Sequence, residues 1–108
     1  MAGNKPEKEL IKPGGENVYP AEVEKVILEH PVIEEASVIG VPDTRWGEAV
    51  KAVCVLKPGQ VLPQAELIEF VASKIARFKK PKYVVYVSDL PKLKDGAIDR
   101  ETVKARYG

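Results

Sequence analysis

Apolar residues crowd together over residues 36–41 and 49–56 and recur at three- and four-residue spacing elsewhere, so strand and helix signals alternate along this chain. The runs "EASVIGV" and "AVKAVCVLK" read as strands that pair across the loop "PDTRWGE". "KYVVYV" reads as a third main strand. Val23, Val26, Ile27 and His30 predict a helix over about 20–30, opened by Pro20 and stopped by Pro31. Pro63 opens a second helix, with Leu67, Ile68, Val71 and Ile75 on its apolar face and Glu66, Glu69 and Lys74 toward water. A short last helix starts at Asp99, whose carboxylate suits the first free backbone amides. At the front, "KELIK" alternates as a short strand and "PGGEN" supplies a hairpin turn.

The order of these elements implies an α+β fold, a small mixed three-stranded sheet with packed helices plus an N-terminal two-stranded β-hairpin. At 108 residues the chain fits one domain, too small to enclose a multi-substrate active site by itself. No apolar run reaches bilayer length and the first residues lack the apolar core of a signal peptide, so no membrane span and a cytoplasmic location are expected. The polar start, leading straight into a strand-like fragment, reads as a piece of something longer.

The one cysteine, Cys54, lies inside an apolar run and reads as core, and one histidine leaves no Cys/His set for a metal. Net charge is +1, but it is unevenly spread: residues 1–48 carry ten acids and five bases, residues 49–108 six acids and twelve bases. The sharpest cluster is "ARFKKPKY", where Arg77, Lys79, Lys80 and Lys82 surround an aromatic. Such a cluster suits phosphate-bearing partners, and equally suits a solvated helix end.

Four stretches exceed what a core requires. The glycines of "KPGGENVYP" let a ligand approach the backbone, although a tight turn alone explains them more simply. "DTRWGE" puts the only tryptophan on a loop, to stack on a flat ring or to pack on a neighbour. "RFKKPK" joins an aromatic to cations, and "LPKLKDGAIDR" is a basic, glycine-hinged loop in which Asp95-Gly96 turns the chain.

Taken in order and at their spacings, "KELIKPGGENVYPAEVE", "HPVIEEASVIGVPDTRWGEAVKAVCVLKPG", "FKKPKYVVYV" and "LPKLKDGAIDR" closely resemble the small C-terminal domain of AMP-forming acyl-CoA synthetases, members of the adenylate-forming, AMP-binding enzyme superfamily. The resemblance runs from about Lys8 to the end. It implies residues 1–8 as leader and hinge segment and 9–108 as a mobile C-terminal domain, its large N-terminal partner, which binds ATP and the acid, being absent. It implies a carboxylic (fatty or aryl) acid:CoA ligase using ATP, CoA and, in the full-length enzyme, Mg2+. In such enzymes the small domain closes the site for acyl-adenylate formation, then rotates to guide CoA for thioester formation.

By position, the resemblance implies Lys8 as the hinge and Gly14, Gly15 and Glu16 as lining of the pantetheine tunnel. Trp46, Phe78, Lys80 and Lys82 fall where aryl-CoA ligases meet the CoA nucleotide. In the family's last loop a lysine stabilises charge during adenylation; here Ala97 stands at that place, with neither charge nor donor. Compensation by Lys92 or Lys94, a slowly adenylating variant, and an introduced alanine all remain open. Two other readings compete with the ligase domain: a free-standing CoA- or nucleotide-binding module without catalysis, and a nucleic-acid-binding module, which one short basic cluster in a neutral chain disfavours.

Overall fold

The computed structural model describes residues 10–108. Helices α1 (Pro20–Ile27), α2 (Gln64–Ala72) and α3 (Arg100–Tyr107) pack on a sheet of β1 (Ile33–Asp43), β2 (Gly47–Leu56) and β3 (Tyr83–Tyr86), ordered β1-β2-β3. β1 and β2 are antiparallel, from Ile33 opposite Leu56 to Asp43 opposite Gly47, and their turn is Thr44–Trp46. β3 lies parallel to β2, Lys51 opposite Tyr83 and Cys54 opposite Tyr86. A parallel neighbour needs a crossover, and residues 57–82, with α2, provide it. The expected mixed three-stranded sheet with packed helices is the observed one.

The strand signals are runs rather than clean alternations because the sheet is covered on both faces. Val38, Val50, Ala52, Cys54 and Val84 pack with α1 and α2. Ile39, Val41, Ala49, Val53 and Val55 pack with Leu90 and with Val103 of α3. Leu67 and Val71 of α2 are fully buried, each stabilising the fold by about 1.5–3 kcal/mol relative to exposure. Along the β1 edge, Glu24 Oε2 accepts the Val38 N–H at 2.8 Å and Lys104 donates to the Gly40 carbonyl. Arg100 Nη2 lies 2.7 Å from Glu24 Oε1, tying α3 to α1 across that edge, which is thereby covered against pairing with another strand.

Two details differ from expectation. The first helix ends at Ile27 rather than near 30, because Glu29 and His30 donate to Val26 and Ile27, three residues back, as the chain turns into Pro31. His30 is half-buried, its ring centroid 4.9 Å from that of Phe70 in an edge-to-face arrangement. The N-terminal hairpin is, among the described residues, a single antiparallel bridge: Ile11 and Val18 exchange both backbone bonds at 2.9 and 2.8 Å around the 3-10 turn Pro13–Gly15. Asp99 caps α3 as expected, accepting from the Thr102 N–H at 3.2 Å.

Cys54 is fully buried, and burial pushes its thiol up to about 12. The native chain is therefore expected to resist a thiol-specific reagent at neutral pH and to react fully only in denaturant. Rapid stoichiometric reaction of the folded chain would contradict this packing.

Candidate functional site

One end of the sheet, where β1 turns into β2 and β3 begins, carries a groove of about 380 Å³. Gly14, Glu16, Trp46, Phe78, Lys80 and Lys82, all singled out in the sequence, line it together with Arg77 and Pro81. Trp46 and Phe78 stay 50% and 44% exposed, so each offers ring surface rather than filling the core. The Arg45 guanidinium carbon sits 5.3 Å from the Trp46 ring centroid. Lys79 turns away to α1 and binds Glu22 at 3.0 Å, so among the cations of "RFKKPK" it is Arg77, Lys80 and Lys82 that face the groove.

Local sequence explains how these parts are held. Asp43 closes the β1–β2 turn, its Oδ1 accepting the backbone N–H groups of Arg45 and Trp46 at 2.8 and 2.9 Å. Its Oδ2 accepts from Lys82 Nζ at 2.7 Å. The Lys82 bond, followed by those two amides, holds the Asp43 carboxyl down at about 2, so it is ionised throughout the neutral range. Lys82 is correspondingly raised by the same bond. The Lys82 backbone N–H donates to the Val50 carbonyl at 2.8 Å, fixing where β3 starts.

The glycine turn is mounted on the same hairpin by two bonds: the Lys12 N–H donates to Glu48 Oε1 at 2.8 Å, and the Gly14 N–H donates to the Trp46 carbonyl at 3.0 Å. Gly14 has φ 60°, and a Cβ there would stand 2.8 Å from Cε3 of Trp46. Gly15, at φ 88°, has open space around the corresponding point. Gly14→Ala is thus expected to cost about 1–2 kcal/mol from the left-handed backbone and to displace Trp46 as well. Gly15→Ala carries the backbone cost alone. Thermal melts followed by tryptophan emission check this: a shifted native-state emission in Gly14→Ala but not in Gly15→Ala is expected, and identical emission in both would show that Trp46 does not depend on Gly14.

Ala97 lies elsewhere. It sits exposed on a turn in which its carbonyl accepts the Leu93 N–H at 2.7 Å and its own N–H donates to Asp95 Oδ1 at 3.0 Å. A lone bridge, Lys92 to Ile98, closes this loop. Lys92, one of the two cations weighed as compensating for Ala97, binds Glu35 at 2.9 Å and approaches Asp89 at 3.6 Å. Glu35 is at the start of β1 and Asp43 at its end, so the loop base and the groove lie roughly 26 Å apart along the strand. Lys94 remains exposed. Lys8, the expected hinge, lies outside the described residues.

Asp43 and Glu48 are the residues that sequence reasoning missed. An Asp directly before a turn was the available signal for the first; nothing local marks Glu48, whose partner is 36 positions away.

The profile of the family described as AMP-binding enzyme C-terminal domain matches residues 22–97. The chain belongs to that family. This AMP-binding enzyme C-terminal domain is 39% identical over 100 residues to a long-chain-fatty-acid–CoA ligase of Mycobacterium tuberculosis, covering 93% of the chain and 20% of the ligase. It is 43% identical over 101 residues to a feruloyl-CoA synthase of an Amycolatopsis species, covering 94% of the chain and 21% of the synthase. Among solved structures, ATP-bound MatB from Rhodopseudomonas palustris superposes with a TM-score of 0.82 at 40% identity, over 94% of the chain and 21% of that protein. The chain thus spans about a fifth of the length of the relatives it matches. Among the described residues, no helix of the domain is long and apolar enough to cross a membrane.

Proposed function

We propose that this chain is the mobile domain of an ATP-dependent carboxylic acid:CoA ligase, residues 9–108 following a leader and hinge segment at 1–8. Its groove serves thioester formation and its Ala97 loop serves adenylation. The observation that carries the reading is the assembly of Gly14, Glu16, Trp46, Phe78, Lys80 and Lys82 around one groove, at the sheet end opposite the Ala97 loop. Coenzyme A offers a purine face, several phosphates and a thin pantetheine arm. The groove offers exposed rings, the cations Arg77, Lys80 and Lys82, and a glycine turn on its rim, a lining that fits all three.

In this reading the aromatic rings take the adenine and the lysines take the phosphates. Gly14, Gly15 and Glu16 leave a narrow path for the arm toward the larger domain, whose absent pockets hold ATP, Mg2+ and the fatty or aryl acid. Closing one sheet end and then the other over those pockets requires rotation about the hinge, which the 26 Å separation estimated above makes a large motion rather than a side-chain adjustment. The compartment that fits this chemistry is the cytoplasm. A free-standing binding module is the weaker reading, because the matching relatives are ligases of which this chain spans a fifth.

Titration of the 108-residue chain with coenzyme A, AMP and an oligonucleotide, followed by Trp46 emission, tests the groove. Saturable binding of coenzyme A alone is expected. A preference for the oligonucleotide, or no response to coenzyme A, would overturn the assignment.

A further inference from the structure

We propose that Asp43 is a positioning residue of the groove: one carboxylate oxygen holds the Trp46 turn and the other holds Lys82, giving order to the site at the expense of raw attraction for anions. The proposal rests on reading the groove as the coenzyme site. An acid bonded to a lysine of a phosphate-seeking lining is otherwise paradoxical, because its charge opposes that of the ligand. The geometry resolves this. The Asp43 side chain is 3% exposed, so it offers almost no surface to a ligand. Its three short bonds go to the Arg45 and Trp46 amides and to Lys82 Nζ, which occupy both of its oxygens.

Each bond fixes something the site needs. Trp46 lies on a three-residue turn between β1 and β2, and the two amide bonds hold that turn to the end of β1. Lys82 precedes β3, with its backbone already tied to Val50. Its long side chain has many rotamers, and the bond to Asp43 selects one of them. An ammonium has three donors, and the Lys82 side chain keeps 46% of its surface exposed, so a phosphate is able to take the remaining donors while Asp43 keeps its own. Asp43, 39 positions from Lys82 in sequence, thereby joins the ring-bearing turn and the phosphate-seeking lysine into one preorganised unit.

Two substitutions separate the turn from the lysine. Asp43→Asn keeps an acceptor for the two amides but presents an NH2 donor to Lys82, so it releases the lysine along with the negative charge; Asp43→Ala releases the turn as well. Hydrogen exchange of the Arg45 and Trp46 amides is measured by NMR on the 108-residue chain, whose two-sided core is internal to it, alongside coenzyme A titration. With Asp43→Asn, exchange protection is expected to persist and affinity to stay within a few-fold of the unsubstituted chain, because the freed Lys82 side chain and the removed opposing charge act in opposite directions, with a steeper salt dependence. With Asp43→Ala, amide protection and coenzyme A affinity are each expected to fall by about tenfold or more, while the melting transition of the core stays cooperative.

Unchanged exchange and affinity in Asp43→Ala would overturn the positioning role. Equal losses of affinity in both variants, with the amides protected in Asp43→Asn, would overturn the role given to the Trp46 turn in binding. Failure of the unsubstituted chain to bind coenzyme A would sink the functional reading of the groove, while the exchange pattern would still report separately whether Asp43 orders Trp46.

Discussion

Ala97→Lys in the complete ligase is expected to raise the rate of acyl-adenylate formation by about a hundredfold or more, the usual worth of one well-placed electrostatic contact to a transition state. Thioester formation from preformed acyl-adenylate should change little. Ala97 is exposed on its turn, and its backbone bonds to Leu93 and Asp95 do not involve the side chain, so a longer residue fits without rearrangement. The expectation rests on the neighbouring cations being poorly placed to replace it. Lys92 is held by Glu35 and Asp89 at the base of the loop, and that Glu35 bond raises its affinity for a proton. Lys94 lies three positions back across the Asp95-Gly96 turn. Rapid-quench measurement of pyrophosphate release decides the matter: equal rates before and after substitution would mean that another group already supplies the charge.

Phe78→Ala combined with Lys80→Ala carries the second large effect, and on the opposite half-reaction. A ring stacked on a base contributes about 1–3 kcal/mol and a charge-assisted bond to a phosphate about 1.5–3 kcal/mol. Since the two share one ligand, their losses need not add, and a hundredfold rise in the KM for coenzyme A is the approximate expectation. Phe78 and Lys80 lie on and just after the 3-10 turn Arg77–Lys79, with Phe78 44% exposed, so the fold should survive their truncation. Steady-state assays varying coenzyme A at saturating ATP and acid measure the shift. An unchanged KM would remove these residues from the coenzyme site.

Much of the fold was legible because its signals are local. Pro20 and Pro63 stand where helices begin, Asp99 caps the last one, and the runs around Val38 and Val53 are long because each strand is buried on both faces. The end of α1 was less legible, since Pro31 only bars continuation and the helix had already tightened after Ile27. The ring, the lysines and the glycines of the groove were visible as unusual residues on loops. What orders them was not: Asp43 meets Lys82 across 39 positions and Glu48 meets Lys12 across 36, and contacts so distant leave no periodicity to read. Gly14 illustrates the same limit. Its sequence context suggested room for a ligand, whereas the nearest constraint on a side chain there is the Trp46 ring.

The central claim is that the two ends of one sheet serve two successive reactions. Its most direct test is to measure both half-reactions side by side in the complete ligase, pyrophosphate release for adenylation and thioester formation from supplied acyl-adenylate. The measurement compares Ala97→Lys with the Phe78→Ala, Lys80→Ala pair. Ala97→Lys should alter only the first rate and the groove pair only the second; if either change moves both rates in parallel, the two ends do not divide the work.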